Sequence, residues 1–141
     1  MSLHTATLLL GSNLNNREKN LEEAKRRLES YAMTIIKETK VIETDPVEFV
    51  SPYKFLNFAL EIQTSLSPVS LLKTLKKIER EIGRPLDSRA SGKVTDRLID
   101  LDIVSYDNLE FKSPTLELPH LRHLTEREFS MQLLEELKAM V

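Results

Sequence analysis

Eight residues, Arg97-Leu98-Ile99-Asp100-Leu101-Asp102-Ile103-Val104, constrain this chain more than any other stretch. Their apolar, partly β-branched character predicts a buried strand over 97–104. Such a strand should exclude acids, yet this one holds two, one residue apart. Alternation along a strand puts Asp100 and Asp102 on the same face, roughly 7 Å apart. Two like charges at that distance repel by about 2 kcal/mol at an effective dielectric near ~20, and burying them unpaired costs more. A fold that keeps them needs a cation beside them. Oxygen-only ligands on a rigid strand suit Mg²⁺ carrying substrate phosphates.

The rest of the chain supplies the frame. Thr5–Leu10 predicts a first strand, ending at Gly11-Ser12-Asn13. Leu21, Ala24, Leu28 and Tyr31 recur at helical spacing and predict an amphipathic helix from about Asn16 to Tyr31. Thr34–Thr44 reads as one long strand, and Asp45–Lys54, with two prolines, as a loop. Phe55–Gln63 alternates cleanly as a strand. Ser67-Pro68 is an N-cap with proline at the first helical position; the helix carries Leu71, Leu72, Leu75, Ile78 and Ile82 and stops at Gly83. A polar loop follows over 84–96, then the acidic strand, a tight turn at Asp107-Asn108 and short extended pieces to Leu118. Thr125 is expected to cap a last helix bearing Phe129, Leu133, Leu134 and Leu137. The order predicts an α+β fold: a ferredoxin-like βαββαβ core, a mainly antiparallel sheet with packed helices, and an appended hairpin and C-terminal helix.

Composition narrows the function. The 141 residues suit one domain spanning 1–141. A net charge of −2 gives no general attraction to nucleic acid or anionic membrane. There is no cysteine, which removes thiolate metal sites. No signal segment or membrane span is visible, so a cytoplasmic protein is expected.

Several residues could carry chemistry. In Phe55–Ile62, Leu56, Phe58, Leu60 and Ile62 share a core face, so Phe55 and Asn57 point the other way beside Ala59. An aromatic next to an amide suits a flat, hydrogen-bonding ligand; a second packed layer would explain the same pattern. Glu79 falls about 80° from Leu71 on a helical wheel, inside the apolar stripe. It either needs a buried partner or reaches water at the stripe edge. Arg84, Arg89, Lys93 and Arg97 could close over a polyphosphate or form a solvated loop. Leu118-Pro119-His120 precedes a polar segment with Arg122, His123 and Arg127, where His120 could contact phosphate. His4 suggests no role.

Taken together, seven pieces in order resemble the 6-hydroxymethyl-7,8-dihydropterin pyrophosphokinases of folate biosynthesis. They are Leu10-Gly11-Ser12-Asn13-Leu14, Glu43-Thr44-Asp45-Pro46, Phe55-Leu56-Asn57-Phe58-Ala59, Ile78-Glu79-Arg80-Glu81-Ile82-Gly83-Arg84, Arg97-Leu98-Ile99-Asp100-Leu101-Asp102-Ile103, Leu118-Pro119-His120 and Arg127-Glu128-Phe129. The resemblance implies a Mg²⁺-dependent diphosphotransferase with ATP as co-substrate, giving AMP and the pterin diphosphate. It implies two Mg²⁺ ions on Asp100 and Asp102, with Arg97 completing the catalytic set. Glu79, Arg84, Arg97 and His120 match nucleotide-side positions. Phe55 and Phe129 match the rings that sandwich the pterin, with Asn57 and the backbone near Thr44 reading its edge. No nucleic-acid or membrane partner is implied; a monomer or weak dimer is compatible. The chain departs from the family where Val94-Thr95-Asp96 replaces a common Trp-Gly-Pro and Leu121 a frequent tyrosine. The His120–Arg127 spacing is also one residue longer than usual, and the sequence stops soon after the last helix. These departures motivate an alternative, a non-catalytic homologue that binds nucleotide or pterin.

Overall fold

A computed structural model describes residues 2–46, 51–83 and 98–140. Five strands and two helices build the core: β1 (His4–Ser12), α1 (Arg17–Ser30), β2 (Thr34–Glu38), β3 (Ile42–Thr44), β4 (Phe55–Thr64), α2 (Pro68–Ile82) and β5 (Asp100–Tyr106). A short ribbon, β6 (Phe111–Lys112) with β7 (Glu117–Leu118), and two helices, α3 (Leu121–Thr125) and α4 (Glu128–Ala139), follow. The main sheet runs β2-β4-β1-β5, with β3 also on β4, and every pair is antiparallel. With β2 and β3 counted as one interrupted strand, this is the ferredoxin-like order.

Local chemistry sets the boundaries. The Asn16 side chain accepts the Lys19 N–H at the start of α1, and Ser67 does the same for Ser70 at the start of α2. Gly83 ends α2 with φ of 114°, a left-handed conformation that glycine adopts without a Cβ clash.

Three expectations need correction. Thr34–Thr44 is two strands, because Thr39 interrupts the ladder: its N–H reaches the Ala59 carbonyl, while its hydroxyl accepts the Ala59 N–H at 2.9 Å. A side-chain oxygen thus replaces a backbone carbonyl, a local competition open to threonine. Thr125 closes a short helix instead of capping the last one; its hydroxyl donates to the Leu121 carbonyl, and Arg127 is the residue before α4. The acidic strand begins at Asp100 and runs to Tyr106; Leu98 and Ile99 precede it outside the ladder, and Arg97 lies outside the described residues.

The sheet is covered on both faces. On one, Leu8, Leu10, Leu56, Phe58, Leu60, Ile62 and Leu101 pack against Leu21, Ala24 and Leu28 of α1 and Leu71, Leu75 and Ile78 of α2. On the other, Leu9, Ala59 and Val104 meet Leu133, Leu134 and Leu137 of α4. This second layer covers only one end of its face. Leu133→Ala should therefore cost roughly 2–5 kcal/mol, the usual loss for a buried leucine. Urea denaturation followed by circular dichroism measures it.

Candidate active site

The uncovered end of the second face is a cavity of about 450 Å³, and register explains its lining. Asn57 on β4 pairs with Gly11 on β1, which pairs with Asp100 on β5. One step along, Ala59, Leu9 and Asp102 make the next row. Period-two alternation carries both rows to the same face. Phe55, Asn57, Gly11, Asp100 and Asp102 consequently line one cavity, together with Thr44, His120 and Phe129. On this face a packed layer covers Ala59, while Phe55 and Asn57 line the open cavity.

Gly11 has a steric reason to be glycine. A Cβ there would lie 2.6 Å from Asn57 Oδ1 and 3.4 Å from the Phe55 ring. The bare backbone lets the Asn57 amide lie over β1, where its Nδ2 donates to the Thr44 hydroxyl at 2.6 Å. Asn57 is 7% exposed, so its orientation is held by packing as well as by that bond. The sequence reading ends the first strand at Gly11, but β1 runs on to Ser12, so Gly11 is a glycine inside a strand, where backbones approach closely.

The carboxylates have different surroundings. Asp102 Oδ2 accepts from His123 Nε2 at 2.8 Å, and His123 Nδ1 lies 2.6 Å from the Ser130 hydroxyl. Burial works against ionisation of Asp102. The His123 hydrogen bond and charge outweigh it, with His120 and Lys76 adding to them, and hold this carboxyl at about 2. The His120 ring lies 4.2 Å from that of His123, centroid to centroid. Burial lowers the pKa of His120, and its neighbour His123 adds to that effect. His123, only 2% exposed, was noted in the sequence without a role. Its signal was helical spacing from His120, but its partners Asp102 and Ser130 sit on separate elements that only folding brings together.

Glu79 is fully buried, which rules out the stripe-edge reading. Its Oε2 accepts the Leu101 N–H at 2.8 Å, and its Oε1 lies 3.4 Å from Lys76 Nζ. The bond tethers α2 to the residue between the two aspartates. Lys76 lines the cavity, whereas Glu79 lies outside the lining. Arg84 and Arg97, and with them Arg89 and Lys93, lie outside the described residues.

The donor set fits a hard divalent cation. Two carboxylates, one ionised far below neutrality, open on the same cavity beside polar groups. Ligand atoms of Asp102, His120 and His123 also lie within 4.8 Å of one another.

The match to known proteins decides the family. The model of the 7,8-dihydro-6-hydroxymethylpterin-pyrophosphokinase family matches residues 7–139. The chain belongs to this family. A Bacillus subtilis relative, 2-amino-4-hydroxy-6-hydroxymethyldihydropteridine pyrophosphokinase, is 38% identical over 94% of this chain and 77% of its own length. An Arabidopsis thaliana folate synthesis bifunctional protein is also 38% identical, over 96% of this chain, but the chain spans only 28% of that protein. Among solved structures, a Plasmodium falciparum HPPK-DHPS with pteroate aligns over 96% of this chain and 39% of its own, with a TM-score of 0.72 at 14% identity. That likeness establishes the family fold. No helix among the described residues is long and apolar enough to cross a membrane.

The Asp102 environment predicts a pH dependence. Its folded pKa is depressed to about 2 from an ordinary 3.8, so its contribution to stability is complete above the unfolded value. It fades as pH falls toward the folded value and amounts to at most about 2 kcal/mol. Without metal, the stability gap between wild type and Asp102→Asn should shrink between about pH 4 and 2, read from urea midpoints.

Proposed function

We propose that this protein transfers a diphosphoryl group from ATP to 6-hydroxymethyl-7,8-dihydropterin, as an enzyme of folate biosynthesis. The substrate hydroxyl oxygen forms a bond to the β-phosphorus. The bond between that phosphorus and the oxygen bridging to the α-phosphorus breaks, AMP leaves, and the hydroxyl proton is released. Family membership supports the reaction. The observation that carries it to these residues is the Asn57–Gly11–Asp100 row, which joins an amide for a flat heterocycle to carboxylates for a cation in one cavity.

In this reading Phe55 and Phe129 enclose the pterin, each ring contributing about 0.5–1.5 kcal/mol beyond area burial. Asn57 and the Thr44 backbone read its edge, so the hydroxymethyl group points along the row toward β5. Asp100 and Asp102 would hold two Mg²⁺ ions, which would supply charge neutralisation for the triphosphate and for the transfer. His120, with its depressed pKa, offers the nucleotide a neutral imidazole. Arg84 and Arg97 supply guanidinium contacts to the phosphates, and Glu79 acts on the nucleotide side through the Leu101 backbone and Lys76. The described residues form one unit with the site at the edge of its second layer, which fits a single catalytic domain. A cytoplasmic location is part of the same proposal.

Incubation with ATP, Mg²⁺ and the dihydropterin should produce AMP, measured by chromatography against a no-enzyme control. Asp102→Asn should bring turnover down to background while the circular dichroism spectrum stays folded. Folded wild-type protein that binds ligand but makes no AMP would instead identify the non-catalytic homologue. Gly11→Ala should displace Asn57 and weaken pterin binding by about 5–10-fold, the equivalent of one lost hydrogen bond. ATP affinity should hardly change, and calorimetric titration with each ligand separates the two.

A further inference from the structure

The chain Asp102–His123–Ser130 crosses three elements, β5, α3 and α4, and the reaction as described makes no use of its last two members. Their surroundings are those of a built device. Ser130 is fully buried and His123 is 2% exposed. A buried hydroxyl and a buried imidazole are costly unless each is satisfied. Here they satisfy each other at 2.6 Å, and the far ring nitrogen meets a carboxylate at 2.8 Å.

Proton logic fixes the direction of the contact with Asp102. A carboxylate offers acceptor oxygens, so across the 2.8 Å contact it is the ring nitrogen that donates. His123 Nε2 must then carry the proton and donate it to Asp102. Nδ1 meets the Ser130 hydroxyl, which can donate or accept, and Arg127 Nη1 lies 3.4 Å from Nε2. The serine thus holds the ring plane, and the ring holds one oxygen of Asp102. The other oxygen, Oδ1, remains to serve the cation. The edge of the ring also meets Phe129, with centroids 6.4 Å apart, and Phe129 precedes Ser130 on α4.

We propose that His123, locked by Ser130, is a positioning residue for Asp102: it holds the carboxylate in the one orientation that presents Oδ1 to a divalent cation. The inference rests on the function proposed above for Asp100 and Asp102. It adds that cation affinity depends on a serine in the C-terminal helix that never touches the cation. Partners of this kind around metal ligands change affinity or activity by roughly 10–100-fold when removed.

The test uses the full chain with a non-hydrolysable ATP analogue and Mn²⁺ as a paramagnetic probe for Mg²⁺. Electron paramagnetic resonance reads the affinity of the protein–nucleotide complex for Mn²⁺, with no turnover required. His123→Leu should weaken it by about 10-fold or more. His123→Gln, which keeps a donor where Nε2 stood, should recover most of the loss. Ser130→Ala should fall between them. In steady-state assays the Leu variant should lose kcat while the pterin KM stays within about threefold, since the pterin contacts are untouched. Nitrogen-15 NMR of the wild-type ring should show a proton on Nε2. Unchanged Mn²⁺ affinity in a folded Leu or Ala variant would overturn the proposal. So would an equal loss in the Leu and Gln variants, or a ring with its proton on Nδ1 alone. If His123→Leu does not fold, Ser130→Ala and His123→Gln carry the same decision. Wild-type protein that binds Mn²⁺ with the analogue but makes no AMP would count against the proposed reaction and leave this inference to the variants.

Discussion

A carboxylate on a strand, facing a partly closed cavity, is stable only if something of opposite polarity meets it, and in this fold that partner arrives from the far end of the chain. The His123 hydrogen bond to Asp102 is the contact on which the site's geometry depends. It requires α3 to lie across the end of β5, and α3 is held there by α4, whose Leu133, Leu134 and Leu137 pack on Leu9, Ala59 and Val104. The apolar layer and the Asp102–His123 hydrogen bond are thus parts of one arrangement. Hydrophobic burial supplies the non-directional energy that brings the C-terminal helices to the sheet, and the hydrogen bonds fix where they stop.

From the other side, Glu79 works in a similar way. Its carboxylate takes the N–H of Leu101, whose side chain belongs to the first core layer. One carboxyl group on α2 therefore anchors the backbone between Asp100 and Asp102, while one imidazole on α3 anchors a side chain. Buried polar and charged groups add little net stability, because desolvation offsets their attraction. What they contribute here is definition: a strand held from beneath by Glu79 and from above by His123 cannot easily rotate its two aspartates out of register.

The fold was legible in the sequence because its signals are local and periodic. Asn16, Ser67 and Gly83 mark helix ends by their own chemistry, and the alternation of Phe55–Ile62 sorted two faces correctly. Thr39 escaped because its competition with the ladder depends on Ala59 of another strand. The same limit applies at the site. Asp100 and Asp102 announce themselves through an unfavourable local pattern, two acids where apolar residues belong. His123 and Ser130 break no local rule. A histidine and a serine near helix starts are ordinary until tertiary contact puts them in line with an aspartate. Glu79 lay between these cases: the wheel revealed the conflict, but only the packed structure revealed the backbone N–H that resolves it.

The second face of the sheet illustrates how little separates packing from binding. Along β1 and β4, Leu9 and Ala59 lie under α4, while Gly11 and Asn57, two residues further along each strand, line open space. The division follows from side-chain volume and from where α4 begins. Ala59 is small enough to let the helix approach, and Gly11 is smaller still, so an amide can occupy the place of a side chain. Phe129, in the first turn of α4, stands at the boundary and touches both regions, packing against the apolar layer while lining the cavity. A flat ligand drawn against Phe129 would press on the same helical turn that carries Ser130. Phe129 and Ser130 are neighbours on that turn, so the aromatic lining of the cavity and the support of Asp102 through His123 are built on one short segment of chain.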